Sequence, residues 1–180
     1  MKKYILIFYF LLSILPAFAQ KQANVWYFGR VGLDFNQTPP LPLNNGISNS
    51  QEGSAAISDH NGSLLFYTNG GFIANRKHVS MKNGGGLLGD LSSTDNTVIV
   101  PVPGNDSIYY LFTIGSAFQA DKGLRYNIIN MKGDTGFGEV VSKNILLEAS
   151  AFEKLAAVKH CNKKDVWIMI HKWDSDEYYA

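Results

Sequence analysis

SDHNGSLLFYT, residues 58–68, is the stretch that decides the fold, because related stretches occur twice more along the chain. The second is PGNDSIYYLFT at residues 103–113, and the third is HCNKKDVWIMI at residues 160–170. A small apolar run precedes each of them: AAI at 55–57, VIV at 98–100 and AAV at 156–158. Each unit is therefore predicted to contain a strand, a polar turn and a second strand.

The predicted strands are continuously apolar and do not alternate, so both of their faces must be buried. Helices provide that cover in α/β proteins, but helical signals are nearly absent here. The one stretch with a plausible helical period, Phe152–Val158, aligns in its second half with the strands above. Sheets must then cover sheets. A two-layer sandwich would bury one face of each strand and would alternate more cleanly.

The three related stretches begin 45 and then 57 residues apart, which is the spacing of propeller blades. We therefore predict an all-β chain that forms a partial β-propeller of about three blades. The blades are built from antiparallel sheets, and each aligned hairpin is expected in a sheet of its own. Blade-like units are predicted around 52–81, 96–131 and 154–180, within one incomplete domain at 20–180.

A signal peptide is predicted at residues 1–19. Lys2 and Lys3 form a basic n-region, an apolar run follows from Tyr4 to Leu15, and the Ala-Phe-Ala sequence at 17–19 fits a cleavage site. The apolar run is shorter than the roughly 20 residues that a transmembrane helix needs. We expect export to an extracellular or cell-surface location, with no stable membrane insertion after cleavage.

The charge of the chain argues against nucleic acid as a partner. The sequence has 16 basic and 15 acidic residues. Removing Lys2 and Lys3 with the signal peptide leaves 14 basic residues and a net charge near −1, so there is no basic footprint for a polyanion. Cys161 is the only cysteine, so an exported chain cannot form an internal disulfide.

The order of motifs resembles the N-terminal region of large secreted proteins from Bacteroidota. The resemblance covers nearly all of the chain after residue 19 and is carried by these segments: Trp26–Gly29, Glu52–Asp59, Leu64–Thr68, Ile99–Pro101, Tyr109–Thr113, Gly123–Tyr126, Glu153–His160 and Trp167–Trp173. Such proteins often continue into polycystic-kidney-disease-type repeats and end in a gliding-motility-associated type IX secretion sorting domain.

The resemblance implies a WD40-like propeller fold, export, and a surface or adhesion context. It implies no known reaction and carries over no catalytic residues. Because Ala180 falls at the start of an expected strand and too few blades precede it to close a propeller, we predict a fragment of a longer chain. Type IX export is then an expectation about that longer parent.

Patterns for metal or nucleophile chemistry are weak. A calcium loop that begins at Asp59 would need glutamate at its twelfth position, which is Gly70; a hairpin turn, loosely similar to the Asp-box of sialidase-type propellers, is preferred. The four histidines lack the spacing of a zinc site: His60, His78, His160 and His171. Cys161 as a nucleophile would need a base oriented toward it, and His160 is only its neighbour in sequence. We predict no metal site, no cofactor and no catalytic residues.

Glycosidase chemistry needs paired carboxylates. Asp174, Asp176 and Glu177 cluster in what we expect to be a solvated turn. Convergence of Glu52, Asp95 and Arg125 in one pocket would favour an enzyme. Several aromatic residues could stack on sugars, although core packing is their default role: Trp26, Tyr109, Tyr110, Trp167, Trp173, Tyr178 and Tyr179.

These observations favour a non-catalytic binding or scaffold module of a secreted or cell-surface protein, with an unknown protein or carbohydrate as ligand. The alternative is part of a propeller enzyme of the sialidase or glycoside-hydrolase type.

Overall fold

The structure, a computed structural model, describes residues 21–116 and 123–180. The predicted signal peptide lies outside the described residues. Within them the chain consists of β-strands, one 3₁₀ turn at Asp134–Gly136 and connecting loops, with no α-helix. This confirms the predicted all-β class. In the same residues, no helix is long and apolar enough to cross a bilayer.

The strands form four consecutive antiparallel units. The N-terminal sheet contains β1 (Val25–Phe28), β2 (Val31–Asp34) and β3 (Leu41–Leu43). The first meander contains β4 (Ala55–Ser58), β5 (Leu64–Thr68), β6 (Phe72–Asn75) and β7 (Ser80–Gly85). The second meander contains β8 (Thr97–Pro101), β9 (Ile108–Ile114), β10 (Leu124–Asn130) and β11 (Glu139–Glu148). The C-terminal sheet contains β12 (Ala151–Lys159), β13 (Val166–Lys172) and β14 (Tyr178–Tyr179).

The two meanders join into one eight-stranded mixed sheet in the order β4-β5-β6-β7-β11-β10-β9-β8. Their only ladder contact is one parallel pair, Lys82 with Glu139, whose side chains also form an ion pair of 2.8 Å between Nζ and Oε2. The expectation of a separate sheet for each aligned hairpin is therefore wrong for the first two, since the outer strands of the two meanders meet at this charged pair. The third hairpin, β12–β13, does have its own sheet.

Neighbouring units cover both faces of the apolar strands. On β5, Phe66 packs in a cluster with Leu111 of β9, whereas the next residue, Tyr67, packs on the opposite side with Tyr27 of β1. On β9, Phe112 faces away from Leu111 and joins a cluster with residues of the C-terminal sheet. Successive side chains of a strand point to opposite faces, so one apolar strand contributes side chains to two hydrophobic clusters. This confirms the inference that sheets, without helices, provide the cover.

Each aligned hairpin has the predicted polar turn, and in each an aspartate or asparagine side chain accepts two backbone amides. Asp59 Oδ1 accepts the amides of Asn61 and Ser63, at 2.8 and 2.9 Å. Asn105 Oδ1 accepts the amides of Ser107 and Ile108. Asn162 Oδ1 accepts those of Lys164 and Asp165. Gly62, at φ +92°, takes a conformation that a side chain would disfavour. The doubtful segment at 152–158 is entirely strand, as part of β12.

Because the strands are buried between neighbouring sheets, two leucines should differ in how much they contribute to the free energy of unfolding. Leu111 is 0% exposed between the meanders, whereas Leu146 on β11 is 52% exposed. Leu111→Ala should lower the free energy of unfolding by about 2–5 kcal/mol because it leaves a cavity. Leu146→Ala should stay within about 0.5 kcal/mol of the parent chain. Denaturant unfolding measures both; equal losses would contradict the assigned faces.

Candidate functional site

A hydrogen-bonded cluster joins the N-terminal sheet to the first meander. The rings of Tyr27 and Tyr67 stack with centroids 4.4 Å apart. Tyr27 Oη donates to Asn45 Oδ1 at 2.8 Å, and Asn45 Nδ2 lies 2.9 Å from His78 Nε2. His78 Nδ1 lies 3.2 Å from Tyr67 Oη, which also accepts the amide of Ile47 at 3.0 Å. Because the amide group donates to Nε2, the imidazole carries its proton on Nδ1.

Burial keeps this cluster uncharged. It raises the pKa of Tyr27 to about 12 and also raises the pKa of Tyr67. Burial lowers the pKa of His78. Both tyrosine hydroxyls and both imidazole nitrogens are within hydrogen-bond distance of partners inside the cluster, so these polar groups hold the two sheets together. His78 has φ +56°, a left-handed conformation that is uncommon for a non-glycine residue.

The lowered pKa of His78 predicts an acid-sensitive junction. Between its value of 6.5 in the unfolded chain and its lower value in the folded chain, the unfolded state binds more protons. The free energy of unfolding should therefore be highest above pH 6.5 and fall as the pH drops below it. His78→Asn removes this titration and keeps a residue that tolerates positive φ. Denaturant unfolding at pH 7.5 and 5.5 should show a smaller loss in the variant; identical losses would contradict the assignment.

The three residues whose convergence would favour an enzyme come from different elements of the fold. Glu52 precedes β4 and accepts a hydrogen bond from Thr94 Oγ1 at 3.0 Å. Asp95 is the next residue after Thr94, so both carboxylates lie at the same end of the molecule, and Asp95 pairs with Lys154 at 3.8 Å. Arg125 lies on β10, two strands from β8 in the second meander, where it is buried. The register places Arg125 opposite Thr113 and Thr113 opposite Thr97, so Arg125 lies at the same end of the second meander as Asp95, on a different strand.

The acidic cluster after Trp173 lies in an exposed turn, as expected for solvated charges. Glu177 accepts a hydrogen bond from Lys172 Nζ at 2.7 Å, and this contact lowers the pKa of the Glu177 carboxyl group. The two side chains join the ends of β13 and β14. An exposed ion pair of this kind contributes little to stability.

The remaining polar candidates are also accounted for by local structure. Among residues 21–116 and 123–180, no group of three or more His, Cys, Asp or Glu side chains could hold a metal ion. Cys161 is exposed, and its Sγ is 3.8 Å from His160 Nδ1. That nitrogen is within hydrogen-bond distance, 3.1 Å, of the Asn162 amide. Asp59 is used by the turn described above.

The aromatic residues divide into two groups. Tyr109 is buried between the meanders, and Tyr110 packs against Phe112 and Tyr126. The exposed group lies on the two end sheets: Trp26, Phe28, Trp167, Tyr178 and Tyr179. This distribution is not visible in the sequence, because all of these residues lie in similar apolar strand runs.

An open pocket of about 310 Å³ lies at the turn end of the second and third aligned hairpins. Three lysines and two aspartates contribute to its lining: Lys159, Lys163, Lys164, Asp106 and Asp165. Asp165 is held by Asn162 Nδ2 at 2.7 Å. The adjacent Lys163-Lys164 pair is the only local sign of this pocket in the sequence, because the opposite wall comes from residues 101–106 and Tyr109 of a separate hairpin and from Gln22. Its mixture of cations, carboxylates and backbone is suited to binding a polar ligand.

Comparison with known proteins provides no relative from which to infer an activity: no family model, curated protein or solved structure matches this chain significantly.

Proposed function

We propose that this chain is a non-catalytic binding or scaffold module, formed by part of a β-propeller that belongs to a longer exported or cell-surface protein. The observation that carries the proposal is the apolar outer face of each end sheet. Apolar clusters fill the spaces between neighbouring units, whereas the two outermost faces have similar side chains and remain exposed. The resemblance to secreted Bacteroidota proteins supports the expected location and, for the parent, type IX export.

The outer face of the C-terminal sheet illustrates the point. On β13, Ile168 and Ile170 pack toward the second meander. Trp167 and Met169 point the opposite way and are 46% and 40% exposed, and Val158, the cross-strand partner of Trp167, is exposed beside them. The N-terminal sheet has an equivalent outer face formed by Trp26, Phe28 and Val31. Contiguous apolar patches of this kind indicate an interaction surface.

The directions of the first strands also support a propeller. β4 and β8 lie side by side in the same direction: Gly53 touches Asn96 at their starts, and both strands line one groove. β8 and β12 also lie side by side in the same direction. Near their starts Asp95 pairs with Lys154, and at their ends Pro101 and Lys159 line one pocket. Parallel inner strands from successive units are expected around a common axis. The pocket with three lysines then lies at one end of that axis, where a polar protein or carbohydrate ligand has access.

A pair of neighbouring substitutions tests the outer face. Trp167→Lys should leave the fold intact, reduce self-association and reduce binding of a hydrophobic dye, because it adds a charge to an exposed apolar patch. Ile168→Lys should lower the free energy of unfolding more than Trp167→Lys does, since Ile168 is half-buried against the second meander and the change desolvates part of a charged side chain. Sedimentation, dye fluorescence and circular dichroism measure these effects. Equal destabilisation by both changes would contradict the proposed interaction face.

The enzyme alternative is tested directly. Fluorogenic sialosides and aryl glycosides should be hydrolysed by the chain no faster than by buffer. Any trace activity in a preparation should be unchanged in Glu52→Gln and Asp95→Asn, because Glu52 is held by Thr94 and Asp95 by Lys154 and we do not expect them to act as an acid and base pair. If the chain hydrolyses these substrates and both variants lose the activity, the scaffold proposal is wrong and the enzyme alternative is correct.

A further inference from the structure

Among the described residues, the N-terminal sheet has no strand at the position that begins each of the other three units. β1 runs opposite to β4: the Ser58 amide donates to the Gln22 carbonyl at 2.8 Å near one end, whereas Gly29, after β1, lies near Ser48 and Ser50, which precede β4. β1 therefore runs in the same direction as β5, and its Tyr27 stacks on Tyr67 of β5. By direction and by packing, β1 corresponds to the second strand of a meander. Among the described residues, no strand occupies the place of the first strand.

One edge of β1 is consequently unpaired. Among the described residues β1 pairs only with β2. The Phe35 amide donates to the Asn24 carbonyl at 2.7 Å, so alternate residues 24, 26 and 28 direct their backbone groups toward β2. The N–H and C=O groups of Val25 and Tyr27 then face the other edge. An open strand edge of this kind is a template for another strand.

A groove of about 360 Å³ lies along this edge. Its walls are the residues Trp26–Phe28 of β1, Ser54–Ala56 at the start of β4, and Thr97–Ile99 of β8. The groove therefore adjoins the inner strands of both meanders. Most of its lining is small or apolar, and it contains no charged side chain.

We infer that this edge of β1 binds an extended segment of small apolar residues that runs antiparallel to β1 and lies beside β4. The inference rests on the proposed function, and the occupant is the inner strand of the sheet array that closes against the N-terminal sheet. Its chemistry follows from the three inner strands present, AAIS in β4, TVIVP in β8 and the LAAV portion of β12. Backbone hydrogen bonds supply the affinity, and the shallow groove excludes large or charged side chains.

The test uses the purified chain and a synthetic peptide with the β4 sequence, GSAAISD, which corresponds to residues 53–59. Amide hydrogen exchange is followed by NMR. Saturating peptide should slow exchange of the Val25 and Tyr27 amides at least about tenfold. The Trp26 and Phe28 amides, already bonded to β2, are internal controls and should change little. The matched control peptide, GSAPISD, replaces one donor with proline and should have a much smaller effect.

Three results of the peptide experiment would overturn the inference. These are unchanged exchange of Val25 and Tyr27, equal protection by the proline peptide, or protection confined to the outer strands β3 and β14. Slow exchange at these two amides before peptide is added would also overturn it, because the edge would already be paired. The Trp167 and Ile168 pair tests the scaffold independently. If that pair behaves as expected and the peptide does not bind, only the inferred strand site is lost.

Discussion

The structure depends on apolar strands that present large side chains to both faces. Phe66 and Tyr67 are adjacent on β5, and both are almost completely buried, on opposite sides of the sheet. Each such side chain gains about 1.5–3 kcal/mol from burial, and one neighbouring sheet can bury only one of the two. The chain therefore arranges its sheets in a series, in which each interior unit has a neighbour on both sides. The exposed outer faces of the end sheets follow from the same constraint.

Polar side chains decide how the covered sheets align, because apolar burial has little directional preference. Asn127 lies fully buried in β10, where it donates to the Leu111 carbonyl at 3.0 Å and accepts the Asn144 amide at 2.8 Å. Asn96 donates to the carbonyls of Asn69 and Asp90 at 2.7 and 2.8 Å, linking loops of the two meanders. The cluster around His78 has the same role at the N-terminal sheet. Buried side-chain hydrogen bonds of this type help to specify one arrangement among many compact ones, although Asn96 Oδ1 is itself buried without a partner among the described residues.

The same features connect the fold to the proposed function. The carboxylates considered for chemistry have local partners, Thr94 for Glu52 and Lys154 for Asp95. Unpaired apolar faces and an unpaired strand edge are concentrated at the N-terminal and C-terminal sheets. These are features of a unit that is completed by contact with more protein. The proposed binding or scaffold role accounts for these apolar features.

The sequence by itself determined the all-β class, the three strand-turn-strand units and the need for sheet-on-sheet cover, because turn chemistry and apolar runs are local properties of the chain. Asp59 and Asn162 could be assigned to turns for that reason. Three features could be seen only in the tertiary structure. The first two hairpins share a sheet, and Trp167 points to solvent while Ile168 points toward the second meander. Among the described residues, one edge of β1 is unpaired. Each of these depends on strand direction and register between segments distant in sequence, and a run apolar at every position does not encode which face meets which neighbour.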